Sequence, residues 1–549
     1  MEQEPMLPRN LLATNTEFLF SMGAASSRVF SVSPAVFRAF LFCICFGFSA
    51  LSLADEVSDA NLPGGKPILN RVIEDARISA QQDYVVNDHN LDPTLKELDY
   101  ETYRQIRFNP DKALWKNKHD YEVQFFHPGF LYQEPVSVVT IAPDNSENLL
   151  PFNSDKFIYE KNAQSLADLT TEESGYAGFR IHYPLKNSQY KDEFAVFLGA
   201  SYFRLVGKNQ VYGISARGLA VNTAMPEGEE FPHFTKFWLI EPRAGQPIKI
   251  YARLESPSVS GTYSFVLMPG EDTTMEVKSW IFAREDVDKL GVAPFTSMFL
   301  YGENTQKRHD DYRPEVHDSD GVLMLNQAGE VIWRPLTNPS RLQVTSLSDV
   351  KPQGFGMLQR DTDFANYLDA EANYHLRPSL WVTPKAGFEN GKLEIVEIPT
   401  DSEVHDNIVA YWVPDKPFLA GESRYYEYNL KTVEKQPMRY GLATVERTRQ
   451  GRSLLPGFET TEDRNVRRFV VDFKIPEGMT IRPDDVDLIL DATNAQVEQA
   501  KVLDVDGGNS VRVTFLVIPE GDAAVDMRMF LNQDETQMSE IWSYVYEPQ

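Results

Sequence analysis

The chain has 549 residues, of which 80 are acidic and 53 basic, so its formal net charge is -27. A surface this negative repels phosphate groups, which excludes a nucleic-acid binder and argues against a peripheral protein of anionic membranes. The length predicts two or three domains, and the 42% hydrophobic and 12% aromatic residues exclude wholesale disorder.

The first element is an apolar run at residues 39–51, preceded by Arg28 and Arg38 and followed by Ser52-Leu53-Ala54. A basic flank, a short apolar stretch and a small-residue end are typical of a secretory signal peptide, which we predict over residues 1–54. An uncleaved anchor is the less favoured alternative, because a spanning helix needs roughly 20 apolar residues. The leader before the run is long for a signal, so Met22 is an alternative start.

Both cysteines, Cys43 and Cys45, lie within the predicted signal peptide. The mature chain then has no cysteine, which excludes disulfides, thiol nucleophiles and thiolate metal sites. The nine histidines never fall in H-x-H or H-x-x-x-H spacing, so we predict no zinc site. No motif indicates a cofactor.

Helical spacing follows at residues 67–83, and a second helix is predicted to start near Asp99 and to run through Tyr103 and Ile106. From about residue 120 onward, apolar and aromatic runs of four to eight residues are broken by Gly, Pro, Asn and Asp. This pattern predicts a large antiparallel β-sandwich. Examples of such runs are residues 136–141, 248–252 and 263–268.

Near the C-terminus apolar and polar residues alternate strictly at 469–475, 511–517 and 525–531, and Asp506-Gly507-Gly508 supplies a hairpin turn. Several short alternating strands within about 100 residues predict an immunoglobulin-like sandwich. The polar, turn-rich stretch from Arg447 to Phe458 is predicted to be a loop or linker. We therefore expect a large domain at 55–430 and a small one at 431–549, with the boundary between 425 and 450.

Two short motifs fail on inspection. Gly213-Ile-Ser215-Ala-Arg217 nearly matches the G-x-S-x-G nucleophile elbow, but it ends in Arg and lacks the strand-to-helix context, so we interpret it as a strand edge. Asp318-Ser-Asp320-Gly321 resembles the start of a calcium loop, but the later positions do not fit.

The remaining chemistry lies in carboxylates set among aromatics, in clusters at 313–321 and 398–412 with Trp333, Arg377 and Trp381 between them. Aromatic faces stack on sugars, carboxylates and arginines bind hydroxyls, and two carboxylates can act as acid and base. This combination is typical of a carbohydrate groove. The alternative, favoured by composition alone, is solvated acids and core aromatics.

Several ordered segments resemble the OpgG/OpgD family of periplasmic glucan biosynthesis proteins, over essentially the whole mature chain. The absence of a twin-arginine signal, and Asn222-Thr-Ala-Met-Pro226, favour the OpgG branch. The resemblance is carried by Gln124-Phe-Phe-His-Pro-Gly129, Tyr212-Gly-Ile-Ser-Ala-Arg-Gly-Leu-Ala220, Glu229-Glu-Phe-Pro232, Leu290-Gly-Val-Ala-Pro294, Trp333-Arg-Pro335, Arg377-Pro-Ser379, Asp406-Asn-Ile-Val409 and Trp542-Ser-Tyr544.

The resemblance implies a mainly β fold, with a mutarotase-like supersandwich followed by the immunoglobulin-like domain. It also implies a periplasmic role in making osmoregulated glucans, which are β-1,2-linked glucose chains with β-1,6 branches. The activity it implies is an inverting endo-β-1,2-glucanase, weaker in OpgG-like members than in the OpgD branch.

Carried over by motif, the general acid is Asp406 and the general base is Asp318. The acid must be protonated near neutral pH and the base ionised. Inverting pairs ordinarily lie ~6.5–9.5 Å apart. The resemblance implies a proton relay through water and a substrate hydroxyl, which allows a larger separation.

Further residues are predicted to contact substrate. Alternation along a strand puts only one of Tyr411 and Trp412 on a given face, and His317 suits an orienting role better than proton donation. Each aromatic could equally belong to the core. The predicted substrate-binding residues are Trp333, Trp381, Tyr411, Trp412, Arg377 and His317.

Three functions remain open from the sequence. The first is an inverting β-1,2-glucan hydrolase. The second is a non-hydrolytic assembly or branching factor that works with a membrane glucan synthase, for which the small domain would supply partner contacts. A glucan-binding lectin is the weaker third. The intact Asp318 and Asp406 favour the enzyme.

Overall fold

The structure, a computed structural model, describes residues 66–86, 91–305, 309–434, 436–437, 441–452 and 464–548. The predicted signal peptide at 1–54 and the part of the predicted linker at 454–458 lie outside these residues. Within the described ranges, no helix is long and apolar enough to cross a membrane.

The predicted N-terminal helix is confirmed as α1 (Lys66–Ser79), whose buried Leu69 and Val72 pack on the outer face of a large sheet. The second predicted helix is shorter than expected, because Ile106 belongs to a strand whose backbone pairs with residues 157–159. The remaining helices are α2 (Pro93–Lys96), α3 (Tyr100–Tyr103) and α4 (Phe364–Tyr367).

Thirty-three strands in the described part of the chain confirm the mainly β fold. The first twelve are β1 (Ile106–Phe108), β2 (Glu122–Phe126), β3 (Ser137–Ile141), β4 (Glu147–Leu150), β5 (Phe157–Tyr159), β6 (Gly178–Asn187), β7 (Tyr190–Leu198), β8 (Tyr202–Leu205), β9 (Ser215–Arg217), β10 (Leu219–Val221), β11 (His233–Ile240) and β12 (Ile248–Glu255). The next thirteen are β13 (Val259–Met268), β14 (Thr274–Ala283), β15 (Leu290–Ser297), β16 (Phe299–Tyr301), β17 (Val316–His317), β18 (Gly321–Leu325), β19 (Val331–Pro335), β20 (Gln343–Asp349), β21 (Gly354–Leu358), β22 (Ser379–Ala386), β23 (Gly391–Glu397), β24 (Ile408–Pro414) and β25 (Ser423–Val433). The last eight are β26 (Thr444–Arg452), β27 (Arg467–Lys474), β28 (Asp487–Ala492), β29 (Ala495–Val505), β30 (Ser510–Pro519), β31 (Val525–Gln533), β32 (Thr536–Gln537) and β33 (Ile541–Tyr546).

Two large sheets form the main body. One has ten strands in the order β2-β6-β7-β8-β9-β15-β24-β23-β20, with β10 beside β15. The other has fifteen, in the order β28-β31-β33-β19-β18-β21-β22-β25-β14-β13-β12-β11-β3-β4, with β32 beside β31.

The two large sheets pack face to face over one apolar core, which is the sandwich that the sequence predicted. Phe179 of β6 meets Phe237 of β11 edge-on, with ring centroids 4.9 Å apart. Phe355 of β21 and Trp412 of β24 stack at 6.4 Å. Side chains at every second position of each strand point inward, so the two inner faces interdigitate and exclude water.

The C-terminal strands form a second core. The ring centroids of Phe469 in β27 and Phe515 in β30 lie 6.1 and 6.0 Å from that of Trp542 in β33. These contacts pack a four-stranded sheet (β26-β27-β30-β29) against one end of the long sheet. The alternating strands predicted here are confirmed as β27, β30 and β31. The hairpin at Asp506-Gly507-Gly508 is confirmed by the antiparallel pairing of β29 and β30.

The predicted loop at 447–453 is wrong over residues 447–452, which belong to β26. This polar segment is extended because it pairs along β27, the next strand of the chain, and not because of its own propensity. Val445 and Thr448 turn into the structure and are 2% and 3% exposed. Arg447 and Arg449 turn the other way, toward Glu303.

The division into domains at 55–430 and 431–549 stays a prediction. β25 continues through Val433, beyond residue 430 but within the predicted boundary interval of 425–450, and β26 begins at Thr444. The C-terminal strands also extend the long sheet, because β33 pairs in parallel with β19. Any changeover between the two parts therefore falls at 434–443.

Candidate active site

Asp406 and Asp318 come together through the short segment that joins β15 to β16. Ser297 at the end of β15 pairs with Ile408 of β24, two residues after Asp406. Phe299 at the start of β16 pairs with His317, the residue before Asp318. Residues 297–299 therefore link the two stretches of chain, which lie almost 90 positions apart in the sequence.

Hydrogen bonds fix this arrangement from both sides. The Asn407 side chain accepts from the Phe299 N–H at 2.8 Å and donates to the Phe299 and Ile398 carbonyls, both at 3.0 Å. The Asp318 N–H donates to the Met298 carbonyl at 2.8 Å. Each carboxylate is thus anchored to the same dipeptide, one through its neighbour's side chain and the other through its own backbone.

Asp406 is half-buried, and its environment suits a general acid. Burial raises the pKa of its carboxyl. Arg204 opposes that shift, Asp318 reinforces it by like-charge repulsion, and Arg217 and Arg377 oppose it more weakly; the net direction is upward. The influence of Asp318 on this pKa places the two carboxyls within electrostatic reach of each other.

Asp318 is nearly buried and forms an ion pair with Arg377; their side chains are 7% and 6% exposed. Arg377 also donates to the Ala372 carbonyl at 3.2 Å and lies over the Tyr374 ring, 4.1 Å from its centroid. The guanidinium of Arg377 therefore already contacts Asp318, Ala372 and Tyr374 within the protein. We assign Arg377 to holding Asp318, in place of the sugar contact that the sequence predicted.

His317 is buried completely, with no exposed surface. One ring nitrogen pairs with the Gln359 side-chain oxygen at 2.9 Å and the other with Glu315 at 3.0 Å, and the ring stacks on Phe299 at 5.2 Å. Burial works against its protonation, but Glu315 outweighs it, so the net pKa of His317 is raised. The orienting role fits this position, whereas direct contact with a substrate does not.

The four predicted aromatic platforms are all packed inside the protein. Trp333 and Trp381 belong to the C-terminal core and are each 4% exposed. Trp412 faces the main core, while Tyr411 faces the opposite side of β24 and donates to Glu394 at 2.8 Å; both are 0% exposed. As predicted, Tyr411 and Trp412 lie on opposite faces of β24, but other parts of the protein cover both faces. No ring of the four has a free face for sugar stacking, so we leave them out of the proposed binding surface.

The sequence analysis missed the cations beside Asp406. Arg217 is 1% exposed, and it donates to Thr296 and Glu229, both at 2.7 Å. Its position in β9 confirms the strand interpretation of the failed elbow motif. Arg204 in β8 donates to Ser215 at 2.7 Å. A signal was available, because an arginine within a short, otherwise apolar strand needs a buried acidic partner.

A second acidic group lies beside this site. Carboxylate oxygens of Glu303, Glu315 and Asp361 lie within 4.8 Å of one another, around a cleft that His317 also lines. Their spacing could hold a metal ion. Burial also raises the pKa of Glu303 well above its usual range and that of Asp361 to about 7, so protonation is another way to relieve their repulsion.

Comparison with known proteins gives a consistent result. Residues 69–546 match the family described as "Periplasmic glucan biosynthesis protein, MdoG". Proteins named "Glucans biosynthesis protein G" from Vibrio cholerae and Ralstonia nicotianae are each 41% identical to this chain, over 86% and 87% of its length and 85% and 96% of theirs. Among solved structures, a polysaccharide lyase covers 67% of this chain and 44% of its own, with 10% identity and a TM-score of 0.20, too low to support an argument.

Proposed function

The chain belongs to the MdoG family of periplasmic glucan biosynthesis proteins, and from this premise we propose that it hydrolyses β-1,2-linked glucan with inversion. Asp406 is the general acid and Asp318 the general base. The periplasm is the proposed place of action, after removal of residues 1–54. Linear or β-1,6-branched β-1,2-glucan is the proposed substrate.

One observation carries this proposal: two aspartates are anchored to the same dipeptide, Met298-Phe299, but their carboxyls have opposite environments. Burial raises the pKa of Asp406, which favours the protonated form that an acid needs. Asp318 instead accepts a hydrogen bond from the guanidinium of Arg377, a cationic partner that favours the carboxylate form. Such a difference between neighbouring carboxyls is how glycosidases divide the roles of acid and base.

The chemistry follows from these two states. Asp406 donates its proton to the glycosidic oxygen as the bond to the anomeric carbon breaks. Water attacks that carbon from the opposite face, and its proton passes to Asp318, directly or through a relay. The new reducing end is the α-anomer. Proton exchange with solvent then returns Asp406 to its protonated form and Asp318 to its ionised form.

Hydrolysis is tested by incubating the purified mature chain with linear β-1,2-glucan and measuring new reducing ends. We expect Asp406→Asn and Asp318→Asn each to lower the rate by about 10²–10⁴-fold. Asp415→Asn is the matched control. Asp415 is exposed and directly follows β24, whereas Asp406 lies just before the other end of that strand. Polarimetry of the initial product should report the α-anomer.

The outcomes separate the candidate functions. Equal release by the wild type and both active-site variants would rule out the catalytic assignment, and a β-anomeric product would contradict inversion. If no variant released reducing ends but the chain bound glucan, the assembly role beside a membrane glucan synthase would take the place of hydrolysis.

A further inference from the structure

Phe231 differs from the other aromatics considered for the site because its ring is open to solvent. It lies in the loop between β10 and β11 and is 39% exposed, whereas Trp333, Trp381, Tyr411 and Trp412 are at most 4% exposed. Single exposed aromatics are common on protein surfaces, so exposure alone does not make Phe231 a ligand contact; its candidacy depends on the groups that surround it.

The ring of Phe231 is held in place from beneath. The Arg217 guanidinium carbon lies 5.5 Å from the Phe231 ring centroid and 4.7 Å from that of Tyr202, so the cation contacts both rings. Arg217 is itself fixed by Thr296 and Glu229. Glu229, two residues before Phe231, also accepts from the Thr223 hydroxyl at 2.8 Å. The loop therefore presents Phe231 on a rigid base, which lowers the entropy cost of binding.

This base lies beside the proposed acid. Tyr202 of β8 pairs with Arg217 of β9, and Arg217 donates to Thr296, whose strand partner Val409 follows Asp406 by three residues. Arg217 and Tyr202 also interact electrostatically with Asp406. Burial raises the pKa of Tyr202 to about 12, so its phenol stays neutral and can donate a hydrogen bond. An open ring, a neutral hydroxyl donor and the proposed acid are thus adjacent.

We propose that Phe231 is a stacking platform for a glucose unit bound next to the cleaved linkage. The inference rests on the proposed function and identifies a substrate-binding residue that the sequence did not single out. Glucopyranose has a C–H face that packs on an aromatic ring, and the surrounding hydroxyls need polar partners of the kind that Tyr202 and Glu229 supply.

The test measures binding separately from turnover. Isothermal titration with linear β-1,2-glucan is carried out on Asp406→Asn protein, which keeps the site but leaves the ligand intact. We expect added Phe231→Leu or Phe231→Ala to weaken binding about 3- to 10-fold. Added Phe231→Tyr, which keeps the ring, should bind like the parent. Tyr190→Ala is the matched control. Tyr190 is also an exposed aromatic, at 64%, but it lies at the start of β7, eight residues from Leu198 at the other end of that strand.

Each outcome bears on the proposal. Unchanged affinity in Phe231→Leu, or equal weakening in Phe231→Tyr, would overturn the platform. If Phe231→Leu weakens binding but the wild type releases no reducing ends, the platform stands and the proposed hydrolysis fails. If the parent does not bind β-1,2-glucan, both proposals fail. Circular dichroism confirms that each variant is folded before it is titrated.

Discussion

The side-chain amide of Asn407 pairs with both backbone groups of Phe299, at 2.8 and 3.0 Å, as a neighbouring β-strand would. Asn407 is 1% exposed and directly follows Asp406. The carbonyl of Met298, the residue before Phe299, accepts a hydrogen bond from the backbone N–H of Asp318. The contact between Asn407 and Phe299 therefore sets the position of Asp406 relative to Asp318. Asn407 is therefore a positioning residue for the proposed pair.

Replacing Asn407 with Leu should lower both stability and turnover. The substitution removes the side-chain partner of backbone groups in buried Phe299 and half-buried Ile398, which costs about 1–3 kcal/mol of unfolding free energy. Turnover should fall at least about tenfold, because small misplacements of a catalytic group are costly. Urea unfolding and reducing-end release measure the two effects.

The control for this prediction is Gln343→Leu, which removes another buried amide, one that donates to Glu397 at 2.8 Å. We expect it to lower stability but to keep turnover per folded molecule. If both variants lost turnover in proportion to their stability, Asn407 would have no special role in positioning.

Removing Arg377 alone should lower the free energy of unfolding more than removing both Arg377 and the charge of Asp318. Arg377→Met leaves a nearly buried carboxylate alone, at an expected cost of about 3–5 kcal/mol. In Arg377→Met with Asp318→Asn no unpaired charge remains, so the double variant should be more stable than Arg377→Met alone. Urea unfolding of the four proteins in the cycle measures this coupling, and additive losses would contradict it.

The pH dependence of turnover should follow the protonation of Asp406. The acid is active when protonated, so the rate falls as pH rises through its raised pKa. Arg204 opposes that rise, so Arg204→Met should raise the pKa further and move the alkaline limb to higher pH. The pH–rate profiles of both proteins test this. Arg243→Gln, at an exposed position in the β11–β12 turn, should leave the limb unmoved.

Stability should depend on pH through Asp361. Burial, followed by repulsion from Asp320 and Glu315, raises its folded pKa to about 7 from an ordinary 3.8. The folded protein therefore binds a proton that the unfolded chain releases, and stability falls as pH rises between these values. Asp361→Asn should flatten this dependence between about pH 4 and pH 7 in thermal unfolding. If the stability of Asp361→Asn changed with pH as steeply as that of the wild type, Asp361 would contribute nothing to the pH dependence.

Much of the fold was predictable because strand period and turn chemistry are local. The alternation of Phe469, Val471 and Phe473 predicted β27, and all three are 0% exposed. The segment at 447–452 was missed for the opposite reason, because its strand exists only through pairing with β27. Local pattern predicts a strand where apolar residues need a covered face, and fails where pairing with another strand extends a polar segment.

By itself the sequence determined the mainly β architecture and the family, because these depend on residue types and on the order of motifs; its motifs also supplied the two proposed aspartates. Only the tertiary structure decided which side chains meet the proposed acid. Alternation says on which side of a strand Tyr411 or Trp412 lies, but not whether another layer covers that side, and here both sides are covered. Phe231 stays open and Arg217 lies within electrostatic range of Asp406 because of how separate strands pack, which no single segment specifies.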